Sequence, residues 1–99
     1  MSTGQGQKEP ESNRVRVDIY GQDYALKGQA SVEYLRRVAR LVDEQMKEIG
    51  EQNPRLDYSR IAVLAAVNIA DRYLRLCDEY EDLLRSLERE SESRIREES

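Results

Sequence analysis

From Arg14 to Tyr20 the chain alternates. Val15, Val17 and Ile19 fall on one side, Arg14, Arg16, Asp18 and Tyr20 on the other. A period of two predicts a strand with one buried face. Gly21 interrupts the pattern and Tyr24-Ala25-Leu26-Lys27 resumes it. A two-residue loop, Gly21-Gln22 or Gln22-Asp23, keeps Tyr24 and Leu26 on the face of Val17 and Ile19. A three-residue loop turns them to solvent, so parity favours a tight hairpin. Gly21 leading the loop suits a type II′ turn, whereas the second register sets Asp18 opposite Lys27, and both registers stand. A lone hairpin is marginal in water, so its apolar face must lie on helices or on another hairpin.

Past Gly28-Gln29-Ala30 the period changes. Ser31 is placed to cap a helix whose apolar face is Leu35, Val38, Val42, Met46 and Ile49, at spacings of three and four. Gly50 suits the end of that helix, and Asn53-Pro54 signals a turn. Asp57 can cap a second helix, which meets no Gly or Pro from Tyr58 onward. Carried to about residue 92 it is roughly 50 Å long. That is far longer than its predecessor, so its distal half extends beyond anything its own chain supplies.

The second helix carries its own pattern. Ala62, Ala66, Ile69, Tyr73, Leu76, Tyr80, Leu83 and Leu87 are spaced 4, 3, 4, 3, 4, 3, 4. A sustained seven-residue repeat predicts a left-handed coiled coil. A second stripe (Val63, Val67, Ala70, Leu74, Cys77, Leu84) lies beside it, wide enough for more than two helices over part of the length. The run from Ile61 to Ala70 is apolar but for Asn68. One side of it is expected against the hairpin and first helix, the other against further copies of the chain. The interface expected between copies therefore comprises Ile61, Leu64, Ala65, Asn68 and Ile69, continued by Tyr73, Leu76, Tyr80, Leu83 and Leu87. The plan is an α+β oligomer: a disordered tail over 1–13, a ββα head over 14–57, a long helix over 58–92, and a frayed end over 93–99.

Composition narrows the function. Ninety-nine residues allow one small domain, and the net charge of −4 weighs against nucleic acid and anionic membranes. The single Cys fits a reducing cytoplasm. The polar amino terminus has no apolar run of a signal peptide, and no stretch approaches a membrane span. With no His and no Gly-rich phosphate loop, catalytic, cofactor-binding and metal-binding residues are all expected to be absent. Cys77 falls on an apolar stripe where it packs as a small hydrophobe, and carboxylates such as Glu79 and Asp82 belong to a solvated face studded with Arg.

A few polar residues remain as candidates for contact. Asn68 either bonds nearby backbone or pairs across an interface to fix register. Arg16 and Lys27, with Arg14, are expected on the outward face of the hairpin. Lys47, Arg55 and Arg60 flank the loop between the helices. Either group could meet a partner, although charge on an exposed face is often only solvation.

The runs RVDIYGQDYALKG, SVEYLRRVARLVDEQMKEIGEQNPRLD and IAVLAAVNIADRYLRL resemble the ZapA family of bacterial cell division proteins, over about residues 14–90. Ile19-Tyr20-Gly21, Asn53 to Asp57 and Ala65 to Ala70 are its specific parts. The resemblance implies a ββα head on a long helix, dimers of heads, and dimers joined through an antiparallel coiled coil into a tetramer. It further implies a cytoplasmic protein at mid-cell that binds FtsZ, the tubulin-like division GTPase, and cross-links its protofilaments. Some members carry an arginine in the hairpin turn that helps contact FtsZ, where this chain has Gln22 and Asp23. The competing class is a helical DNA-binding or regulatory oligomer using the Arg-rich faces, which the acidic total disfavours.

Overall fold

The computed structural model describes residues 12–98. The expected tail lies almost wholly outside that span. Two strands, β1 (Asn13–Ile19) and β2 (Gln22–Gly28), form an antiparallel hairpin. Two helices follow, α1 (Val32–Gln52) and α2 (Tyr58–Glu98). Cα pairing runs from Asn13 with Gly28 to Ile19 with Gln22, so the loop is Tyr20-Gly21. This corrects both expected registers while keeping their parity: Val17 pairs with Tyr24 and Val15 with Leu26 on one face. Lys27 stands opposite Arg14 rather than Asp18.

The turn shows why. Tyr20 has φ 47° and Gly21 φ 80°, the two left-handed residues of a type I′ loop, whose twist matches the flanking strands. Tyrosine rarely enters that region, and here three contacts hold it. Its N–H donates to Asp43 Oδ1 at 2.8 Å, its ring lies 5.9 Å from that of Tyr58, and it packs on the core. Side-chain contacts outweigh the intrinsic preference for glycine or asparagine.

Ser31 caps α1 by accepting the Tyr34 N–H at 3.0 Å, as expected. The end differs: α1 runs through Gly50 to Gln52 and is capped at Asn53, whose N–H reaches Ile49 O at 2.9 Å. Gly50 serves another purpose, because a Cβ there would collide with the Tyr20 hydroxyl. Asp57 caps α2 through the Arg60 N–H at 3.0 Å. The helix continues to Glu98, past the expected end near residue 92. Arg and Glu, both good helix formers, dominate that stretch, and no Gly or Pro interrupts it.

The contacts divide the chain at Ala65–Ala66. In the first unit, Met46, Ile49, Ile61 and Ala65 form a buried cluster, edged by Ile19, Tyr20, Val42, Leu56, Tyr58 and Ala62. The expected buried face of α1 holds at Leu35, Val42, Met46 and Ile49 and differs at one place: Ala39 is buried, and Val38 is exposed. The second unit is the remainder of α2. Among the described residues no helix is long and apolar enough to cross a membrane.

Candidate interaction surfaces

The junction of hairpin, α1 and the start of α2 is held by polar bonds that fix the head as a platform. Asp43 accepts the Tyr20 N–H and, at 3.0 Å, the Lys47 ammonium. The backbone bond first, then Lys47, holds its carboxyl below the usual carboxylate range. The Tyr58 hydroxyl donates to Ile19 O at 3.1 Å and meets the Tyr24 hydroxyl at 2.7 Å. Loss of solvent, then the Tyr24 hydroxyl, pushes its pKa up to about 12. These bonds tie the first half of the turn, and Tyr24 on β2, to the helices.

The basic candidates do not form one patch. Arg16 and Lys27 are exposed on the hairpin's outer face, and Arg16 pairs with Asp23. Lys47 is committed to Asp43. Arg55 and Arg60 are exposed at the interhelical loop and the first turn of α2. Arg16 does meet cations that the sequence pattern did not single out: with Arg36 and Arg40 it lines a groove that also contains Asp18 and Asp43.

The apolar candidates split in two. Ile61 and Ala65, at 3% and 1% exposure, are used in the core of their own chain and leave little surface for another copy. Leu64 is exposed beside Val63 and Val67, Ile69 is half-buried, and Asn68 is exposed with no hydrogen bond from its side chain among the described residues. Tyr73, Leu76, Tyr80, Leu83 and Leu87 all lie open at 52–64% exposure. Four of these line one apolar depression with Cys77 and Glu79. A continuous run of large apolar side chains on a charged chain marks a contact surface.

Two features escaped the sequence reading. Tyr34, Val38 and Leu41 form an exposed apolar stripe on α1, with Arg37, Arg40 and Glu44 along it. The buried polar residue of the head is Gln45, with no hydrogen-bond partner among the described residues. The spacing of four and three at 34, 38 and 41 was visible, but the longer stripe through Met46 and Ile49 absorbed Val38.

A hairpin-and-helix head followed by a long helix with an open heptad seam is the architecture of a small α+β protein built for contact with other chains. The family profile for cell division protein ZapA matches residues 15–98, and the chain belongs to that family. A cell division protein ZapA from Geobacillus sp. strain WCH70 is 48% identical over 84 residues, covering 85% of this chain and 97% of the relative. One from Geobacillus thermodenitrificans is 52% identical over 77 residues, covering 78% and 85%. A solved ZapA mutant dimer from Geobacillus stearothermophilus superposes with a TM-score of 0.65 at 45% identity, covering 86% of this chain and 99% of that one.

Proposed function

We propose that this protein is a non-enzymatic adaptor of bacterial cell division that binds FtsZ and cross-links its protofilaments at the mid-cell ring in the cytoplasm. Family membership supports the division role. The observation that carries the mechanism is the open seam from Tyr73 to Leu87 on α2. Burying that seam between copies, first in dimers and then in tetramers, gives each assembly several heads. Weak contacts at single heads then become strong when one assembly engages two filaments, because the second contact is intramolecular. Arg16, Lys27, Lys47, Arg55 and Arg60 are the head residues offered to the filament, and Lys27, Arg55 and Arg60 are the ones with no ion pair among the described residues.

Pelleting with polymerised FtsZ and GTP tests the proposal. The protein is expected to sediment with the polymer and to gather filaments into bundles visible by electron microscopy. Lys27→Glu and Arg55→Glu, compared in the same assay, report which face of the head touches the filament. A folded protein that stays in the supernatant at every concentration would overturn the reading.

A further inference from the structure

A groove of about 310 Å³ runs between β1 and α1, with Val17 and the buried Ala39 as its apolar lining. Its charges are unevenly satisfied. Arg16 pairs with Asp23, and the Asp43 carboxylate is taken by the Tyr20 N–H and the Lys47 ammonium. Arg36, Arg40 and Asp18 also line the groove, are exposed, and have no ion-pair partner among the described residues. Glu33, one turn before Arg36, and Glu44, one turn after Arg40, form no ion pair with them either. Two guanidinium groups on the α1 side therefore stand open against one carboxylate on the β1 side.

The backbone beside the groove is open as well. The two-residue loop closes on Ile19 and Gln22, so hydrogen-bonded rungs recur at Val17 and Val15. The N–H and C=O groups of Arg16 and Asp18 then point away from β2, along the free edge of β1, where an extended chain can pair and a helix cannot. Spacing agrees. Arg36 and Arg40 are four residues apart on α1, a rise of about 6 Å. Alternate side chains of an extended chain share one side and stand about 6.7 Å apart. Each arginine fork can take one carboxylate through paired N–H donors. We infer that this groove holds an extended acidic segment of FtsZ, with acids at alternate positions on Arg36 and Arg40 and its backbone along β1. The inference rests on the FtsZ reading above and adds a site that its basic candidates did not include. Asp18 opposes the same carboxylates, so its removal strengthens the contact.

Two measurements on the full-length chain test the groove and its occupant. The first is fluorescence anisotropy with a labelled valine-rich peptide bearing two glutamates at alternate positions, and with its isomer in which the glutamates are adjacent. The alternate peptide should bind about threefold more tightly than the adjacent one. Arg36→Ala and Arg40→Ala should each weaken its binding about three- to fivefold at low salt, and less as salt rises. Asp18→Asn should tighten it about twofold. Arg37→Ala removes the same charge from a residue outside the groove and should leave binding unchanged; circular dichroism confirms that each variant is folded. Equal binding of the two peptides, or no loss on removing either groove arginine, would overturn the inference. So would a deletion of residues 1–11 that strengthens peptide binding severalfold, since Glu9 and Glu11 of the chain itself would then be the occupant. The second measurement is pelleting with polymerised FtsZ, where Arg36→Glu/Arg40→Glu should at least halve the fraction bound. If parent and double variant pellet equally, the groove inference falls and the proposed function stands. If the parent never pellets, the proposed function falls and the inference with it.

Discussion

The hydroxyl of Tyr20 occupies the space that the Cβ of any residue but glycine would need at position 50. A turn residue with left-handed φ and a glycine in the last turn of α1 are thus one device. Gly→Ala in a helix interior ordinarily stabilises by up to about 1 kcal/mol. Gly50→Ala is expected to do the reverse and cost about 2 kcal/mol, because the Tyr20 ring must leave its place. Adding Tyr20→Phe removes the hydroxyl and should recover part of the loss, not all, since the ring carbon beneath it is also close. Urea unfolding at fixed protein concentration gives both numbers. A stable Gly50→Ala would mean that Tyr20 has another seat.

The same turn depends on Asp43. Its carboxyl sits below the ordinary range because its charged form takes the Tyr20 N–H and the Lys47 ammonium. A depressed folded pKa contributes stability that is present above the unfolded value of 3.8 and lost as pH falls through the folded one. Asp43→Asn keeps an acceptor for Tyr20 but gives up the charge. It should melt lower than the parent at pH 6, with the gap closing toward pH 3. Melting curves that stay equally separated across that range would remove Asp43 from the acid response.

How much of this was legible in the sequence differs from element to element. Alternation from Val15 to Ile19 and the caps at Ser31 and Asp57 were readable, because period and local hydrogen bonding are properties of short stretches. The loop was not, since no local rule places Tyr20 at positive φ; Asp43, Gly50 and Tyr58 hold it there from other elements. On α1, Val38 fits the buried stripe by spacing, yet Ala39 is the residue the fold buries. Along α2 the seam was plain from its repeat. Which of its first turns the chain keeps for itself, Ile61 and Ala65, depends on Met46 and Ile49 and could not be read from α2 alone.

Gln45 carries the opposite expectation from most core changes. It is 6% exposed, and its amide finds no partner among the described residues. A buried polar group left unpaired costs about 1–3 kcal/mol, and an apolar side chain of similar length avoids that cost. Gln45→Met should therefore raise stability by about 1 kcal/mol, worth about 4–8 °C in melting temperature for a chain of this size. Calorimetry at matched concentration measures it. A fall of similar size would show that the amide is satisfied in the assembled protein.

Leu83 separates the head from the seam. It is exposed on α2 with Leu76, Tyr80 and Leu87 along the same stripe, and it belongs to the unit beginning at Ala66. Changing it to Glu places one carboxylate per chain inside the proposed bundle, where an unpaired buried charge costs several kcal/mol. The distal seam is short, so that loss should open it. The head keeps its own cluster of Met46, Ile49, Ile61 and Ala65, of which Leu83 is not a member. Exposed Val63, Leu64 and Val67 remain available for proximal pairing. Leu83→Glu is thus expected to halve the assembly mass to a dimer that still binds FtsZ but bundles filaments poorly. Light scattering scores the mass and electron microscopy the bundling, each without the other. A variant that stays tetrameric would put the interface elsewhere on α2. A dimer that bundles as well as the parent would show that joining dimers through this seam is not what bridges filaments.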